Sequence, residues 1–377
     1  MAALTACSGS TTGADAVATV DLSTADDAAL AADDTAPDAA LTDAVGTDAV
    51  VEDAAATETA GGAVDVADAD VGVADVAVPD VSGPVPDPDK NGPYTYAELD
   101  DKTTVAASGD SVAVHCAYPT AGPSAGPFPV VVFAHGMQIT PDKYYGYVQR
   151  LASFGYIAIT VDFPTDLFLG NDNPKEAQDL AGALDWAAKK GGVLFGKVDE
   201  KNAGVFGHSL GGKLSFLAAT LEPRFKAAFG LDPVDGGGPL GCNPPQCVDV
   251  TDAIGKLAIP TGFVGEVTDA SGGMQPCAPT ANNYETFYHA VPAPSFEVTV
   301  NGANHMSFLD DTNGCLACGF CNKATLTQVQ VTDLARSYVV AFFERHLRGL
   351  AAYDDYLTGA TAQARYVTTG LATITQK

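Results

Sequence analysis

Read for apolar spacing, the chain falls into two unlike parts. From residue 93 to residue 377, short continuous apolar runs alternate with longer segments in which apolar positions recur every three to four residues. The run Pro129-Val-Val-Val-Phe-Ala134 predicts a strand buried on both faces. Further strands are expected at 111–118, 156–161, 203–206, 227–231, 258–264 and 296–300. Helices are expected over 142–154, 174–189 with Pro174 in its first turn, 210–221 and 327–348. In the last of these, Leu334, Tyr338, Val339, Phe342, Phe343 and Leu347 form one stripe, and Gly349 stands where the helix should end. Strand-helix alternation of this kind predicts an α/β domain, a mostly parallel sheet with helices on both faces. Residues 93–377 suffice for one large core.

Residues 1–92 lack any such period. They are nearly all Ala, Asp, Thr, Val and Gly, and no aromatic residue precedes Tyr94, so little apolar surface is available to offset the entropy of ordering. A disordered segment is expected, closing at the Pro-rich boundary Pro79, Pro84, Pro86, Pro88 and Pro93. Repeats such as Val64-Asp-Val-Ala-Asp are low complexity and not a solenoid period. The first ninety residues hold 19 acidic residues and one basic residue, whereas residues 91–377 hold 28 acidic and 18 basic ones. That acidic balance argues against nucleic acid as a partner. Leu4-Thr-Ala-Cys7 is similar to the lipobox of bacterial lipoprotein signals, although only six residues precede Cys7 and no basic start or full apolar core is present. The resemblance implies a truncated signal, a lipid anchor at Cys7, a tether up to residue 92, and an exported bacterial protein, either surface lipoprotein or secreted or periplasmic. No later apolar run reaches the roughly 20 residues of a spanning helix.

The chemistry centres on Asn202-Ala-Gly-Val-Phe-Gly-His-Ser-Leu-Gly-Gly-Lys213, where Gly207, Ser209 and Gly211 form G-x-S-x-G between a strand and a helix. That context predicts a nucleophile elbow, with Ser209 on a sharp turn above the sheet edge and a helix N-terminus beneath it. Element order and elbow together are those of an α/β-hydrolase fold, whose triad runs Ser, acid, His along the chain. Of six histidines, His305 follows the last strand in Asn301-Gly-Ala-Asn-His305-Met and is the expected base. His115, His135, His208, His289 and His346 are expected to be structural or surface residues. Two strand ends offer an acid, Asp232 in Leu-Asp-Pro-Val-Asp and Asp269 in Gly265-Glu-Val-Thr-Asp269, with Asp235, Glu266 and Asp310 weaker rivals. The oxyanion should meet the backbone N–H of Leu210 and that of Met137 in the turn after 129–134, with Gln138 the fallback. Tyr144, Phe163 and Phe168 are candidates for lining the substrate pocket.

Several separate motifs in order resemble the chlorophyllases. They are Gly-His-Ser-Leu-Gly-Gly-Lys213, Leu231-Asp-Pro-Val-Asp-Gly236, Pro276-Cys-Ala-Pro279 followed by Asn-Asn-Tyr-Glu-Thr-Phe-Tyr, and Asn304-His-Met-Ser-Phe-Leu-Asp-Asp311. The resemblance implies a serine esterase of the α/β-hydrolase fold, in a family known for cleaving the phytyl ester of chlorophyll, and it implies Asp232 as the acid. Platelet-activating-factor acetylhydrolases are similar at the same strand end. Chlorophyllases typically carry Arg just after the nucleophile, where this chain has Leu210. Ala341-Phe-Phe-Glu-Arg-His-Leu-Arg-Gly349 and Tyr353-Asp-Asp-Tyr-Leu357 resemble bacterial cutinase-like and polyester hydrolases instead. The expected function is therefore a serine carboxylic ester hydrolase working through an acyl-enzyme, without cofactor or metal and as a monomer. A polyester hydrolase, lipase or acyltransferase with the same triad is the alternative. An inactive surface-binding module is the reading from outside enzymology, and it would predict a broken triad.

Eight cysteines in a chain with an export-like start suggest oxidised pairs. Cys242 and Cys247 flank Asn-Pro-Pro-Gln and are placed to close a small loop, and Cys277 is placed to reach one of Cys315, Cys318 and Cys321. The last three have metal-ligand spacing but no fourth ligand motif, so zinc or iron-sulfur is not expected, and one thiol is left over.

Overall fold

The computed structural model describes residues 84–165, 171–236, 244–272 and 276–377. The disorder expected of the N-terminal segment, the lipid anchor at Cys7, and the roles expected of Phe168 and Cys242 fall outside the described residues.

A nine-stranded sheet organises the domain. Its strands are β1 (Thr95–Thr104), β2 (Ser111–Ala121), β3 (Phe128–Ala134), β4 (Ile157–Asp162), β5 (Val198–His208), β6 (Phe225–Leu231), β7 (Thr261–Gly265), β8 (Ser295–Val300) and β9 (Ala372–Gln376). They lie in the order β1-β2-β4-β3-β5-β6-β7-β8-β9. The six from β4 to β8 pair in parallel, while β1, β2 and β9 close the two ends antiparallel. Every residue of β3 is buried, as its unbroken apolar run requires. This is the α/β-hydrolase architecture.

The main helices are α1 (Tyr145–Ser153), α2 (Asn173–Lys189), α3 (Leu210–Leu221), α4 (Thr251–Ile254), α5 (Tyr284–Ala290) and α6 (Gln328–His346). Apolar clusters form on both sheet faces. Leu180 and Leu184 of α2, Leu214 and Phe216 of α3 and Phe287 of α5 pack with Val130 and Val132 on one face. Tyr147 and Leu151 of α1 and Phe342 and Phe343 of α6 pack with Val131 and Phe133 on the other. Alternate β3 residues thus serve opposite faces, as the period of two demands. Asp172 caps α2 through the Lys175 N–H, and Thr327 with Gln330 forms a capping box on α6.

Boundaries depart from the sequence reading where proline or an edge intervenes. The strand expected at 258–264 runs over Thr261–Gly265, because Pro260 has no N–H to give the ladder. The helix expected from residue 142 opens as a 3-10 turn at Pro141–Tyr144 before α1 proper. The edge strands β1 and β9 are half-exposed and polar, so no apolar run announces them. The ordered body also reaches upstream of residue 93. Arg365 bridges Asp87 at 2.7 Å and Asp89 at 2.6 Å, Tyr353 donates to the Pro86 carbonyl at 3.0 Å, and Arg150 donates to that of Pro88 at 2.8 Å.

Candidate active site

The C-terminal ends of the parallel strands carry all of the candidate chemistry, and β3 and β5 flank the point where strand order reverses. β5 ends at His208, α3 starts at Leu210, and Ser209 between them has φ 57° and ψ −123°. Such a backbone costs a non-glycine residue on the order of 1–3 kcal/mol and persists only when its surroundings over-determine it. Here they do. The Ser209 N–H donates to the Leu231 carbonyl at 3.1 Å, and its own carbonyl accepts from Lys213 and Val234, each at 3.2 Å. A Cβ on Gly211 would run into the Ala134 carbonyl, so the elbow can pass this close to β3 only with glycine there.

Ser209, Asp232 and Gln138 are the non-glycine residues with positive φ among those described, and all three belong to this edge. Asp232, directly after β6, is fully buried at φ 42° with its N–H on the Val264 carbonyl at 2.7 Å. His305, in a 3-10 turn (His305–Phe308) after β8, lies between the two. Its Nε2 is 2.8 Å from Ser209 Oγ, and its Nδ1 is 2.6 Å from Asp232 Oδ2. Asp232 Oδ1 accepts the Glu266 N–H at 3.3 Å. Ser209 alone of the three is half-open to solvent. Burial raises the Asp232 pKa, while the His305 ring and the Glu266 amide pull it back toward the carboxylate.

The other acids are engaged elsewhere. Asp269 Oδ2 accepts the backbone N–H of His305 at 2.8 Å, and its Oδ1 accepts that of Asn322 at 2.6 Å, so it meets the peptide and not the ring. Glu266 accepts the Asp269 N–H at 2.9 Å, and burial together with the neighbouring Asp232 pushes its carboxyl up to about 9, leaving it neutral at pH 7. Asp235 pairs with the fully buried Lys213 at 3.0 Å, and Asp310 with Arg336 at 2.5 Å.

Gln138, the fallback oxyanion donor of the sequence reading, donates its N–H to Thr165 Oγ1 at 3.3 Å. Leu210 is the first residue of α3, so its N–H has no intrahelical acceptor. Tyr144 and Phe163 are engaged with neighbouring rings. Both are buried, Tyr144 with its hydroxyl on His208 Nδ1 at 2.8 Å and Phe163 stacked on His135. Aromatic side chains beside a site serve packing as readily as binding, and sequence carries no signal to separate the two.

Cys277 is bonded to Cys321 and Cys315 to Cys318, so the late cysteines with metal-like spacing are oxidised in pairs. Cys247 is also in a disulfide, and Cys116 is a buried free thiol.

A chlorophyllase family model matches residues 90–364. The chain belongs to the chlorophyllase family. Chlorophyllase-1 of Arabidopsis thaliana is 30% identical over 241 residues, covering 60% of this chain and 74% of that protein. A bis(hydroxyethyl) terephthalate hydrolase of Streptomyces coelicolor is 29% identical over 221 residues, 57% of this chain and 62% of its own. A cutinase of Thermobifida alba is 26% identical over 163 residues, 42% of this chain and 47% of its own. This chlorophyllase-family chain is a carboxylic ester hydrolase.

Proposed function

We propose that Ser209 is the nucleophile of a two-step acyl transfer, with His305 as general base and Asp232 as the acid that orients it. The observation that carries this reading is the unbroken hydrogen-bond chain from Ser209 Oγ through both His305 nitrogens to Asp232. Acceptance by Asp232 holds the Nδ1 proton in place, so Nε2 is free to take the Ser209 proton as Oγ attacks the ester carbonyl. The Met137 and Leu210 amides receive the oxyanion, each worth roughly 3 kcal/mol of barrier by analogy with deleted donors. His305 then returns the proton to the departing alcohol. Water repeats the sequence on the acyl-enzyme, which releases the acid and restores Ser209.

For substrate, we infer an ester with a bulky apolar moiety. The support is the near-equal similarity to a chlorophyllase and to a bis(hydroxyethyl) terephthalate hydrolase. A polyester-type substrate is the second reading, favoured by Leu210 at the position where chlorophyllases carry Arg. Export to an oxidising compartment is proposed with it, on the strength of the Cys277–Cys321 and Cys315–Cys318 bonds. Chlorophyll, bis(hydroxyethyl) terephthalate and p-nitrophenyl esters of increasing acyl length, assayed side by side, separate the substrate readings. Ser209→Ala should abolish turnover of all of them while the circular dichroism spectrum stays native. Turnover retained by that variant would remove Ser209 from the mechanism.

A further inference from the structure

The backbone of His305 is held at its N–H and at its carbonyl by two side chains, one of which, His208, also packs its ring against that of His305 at 4.7 Å. Its N–H donates to Asp269 Oδ2 at 2.8 Å, and its carbonyl accepts from His208 Nε2 at 2.9 Å. Asp269 is 1% exposed and His208 0%, so neither bond is contested by bulk water. We propose that Asp269 and His208 are positioning residues that clamp the backbone of His305 from opposite sides and thereby set the reach of its ring to Ser209. The inference rests on the reading of His305 as the general base.

The base needs such support because of where it sits. His305 lies outside the sheet, in a four-residue 3-10 turn that starts five positions after β8 ends at Val300. A turn that short has few internal bonds with which to fix the direction of its first side chain. A displacement of about 1 Å at a reacting group can cost on the order of 100-fold in rate.

Both jaws of the clamp are anchored in their turn. Asp269 takes a second backbone N–H, from Asn322 at 2.6 Å, and gives its own N–H to Glu266 at 2.9 Å. Asn322 follows Cys321, whose disulfide to Cys277 ties the segment after β7 to the one after β8 beside the clamp. Asn322 also donates its side-chain amide to the Thr268 carbonyl at 2.7 Å, and its carbonyl accepts from Asn304 Nδ2 at 2.6 Å.

On the other side, donation to a carbonyl requires the proton of His208 on Nε2, so Nδ1 is left to accept from the Tyr144 hydroxyl at 2.8 Å. Burial, followed by the nearby His305, drives the His208 pKa well down and keeps the ring neutral, the form this pattern needs. Tyr144 accepts the Gly136 N–H at 3.4 Å, and a Cβ on Gly136 would press against both Tyr144 and His208. The turn that presents Met137 is thereby wired to the carbonyl of the base.

The test uses the full chain, a soluble p-nitrophenyl ester, and a fluorophosphonate that labels Ser209 at a rate set by its activation. Asp269→Ala and His208→Leu should each lower kcat about 10- to 100-fold with KM within about 2-fold, and slow fluorophosphonate labelling in parallel. His208→Gln keeps a side-chain amide donor for the carbonyl and should regain most of the lost kcat. Asp269→Asn keeps one acceptor for two N–H groups and should fall between wild type and alanine. Should Asp269→Ala or His208→Leu not fold, the isosteric Asp269→Asn, with its intermediate loss, carries the measurement. Folded Asp269→Ala, His208→Leu or Asp269→Asn variants with wild-type kcat, or a loss confined to KM, would overturn the clamp. Ser209→Ala and Asp232→Asn run alongside keep the two readings apart, since activity surviving in those variants defeats the triad assignment whatever the clamp variants do.

Discussion

At the residue scale, the arrangement around His305 turns on which carboxylate meets the ring. Asp232 reaches Nδ1 at 2.6 Å, and its replacement by Asn leaves the shape but turns a donor toward the ring. Removing the orienting acid of a serine protease triad costs about 10⁴ in kcat through the wrong tautomer, and Asp232→Asn should fall on that order, close to His305→Ala in the same steady-state assay. A second residue effect comes from Glu266. Its folded pKa of about 9 lies above the ordinary 4.5, so the folded state holds the proton more tightly than the unfolded chain does. The stability contributed by this proton is complete below about pH 4.5 and is lost as pH rises through about 9. Glu266→Gln removes that titration, and melting temperature followed from about pH 5 to pH 9 should decline less steeply in the variant than in the wild type.

At the element scale, the elbow depends on how closely α3 passes β3. Gly211 in the first turn of α3 has Ala134 and His135 carbonyls where a Cβ would go, both rigid backbone in or just after β3. Gly211→Ala should therefore push the helix start outward, lower stability by roughly 1–3 kcal/mol as an overpacked site does, and reduce kcat with it. Thermal denaturation and esterase assay of the same preparation would read both. The elbow was legible in sequence because strand, G-x-S-x-G and helix are contiguous, so local order alone brings them together. β1 and β9 were not, because an edge strand buries little and carries polar residues at most positions.

At the scale of the whole molecule, residues 86–89 strap the chain across the body through Arg365, Tyr353 and Arg150. Arg365 and its two partners are each about a third exposed, so solvent screening discounts these ion pairs. A chain beginning at residue 84 should keep both melting temperature and kcat, as expected if the acidic low-complexity segment contributes no core. One beginning at residue 93 loses the strap and should melt a few degrees lower, a change of about 2 kcal/mol. A native melting temperature for the shorter chain would mean that the strap contributes nothing.

The sequence by itself determined the class of fold and pointed to Ser209 as the nucleophile, because both are written in contiguous residues. The buried run of β3, the stripe of α6 and the elbow each need only their own neighbours to be read. It narrowed the acid to two strand ends and left the choice to resemblance, since Asp232 and Asp269 both follow parallel strands whose tips end side by side. Only the tertiary structure gives the two carboxylates different partners. It turns the Asp232 carboxylate to the imidazole and the Asp269 carboxylate to the peptide of the same histidine. It likewise brings Tyr144 onto His208 and His208 onto the His305 carbonyl, partners that lie 64 to 97 residues apart in the chain. No local pattern encodes a hydrogen bond between residues that far apart, because the bond depends on strand order and on the packing of the loops above it.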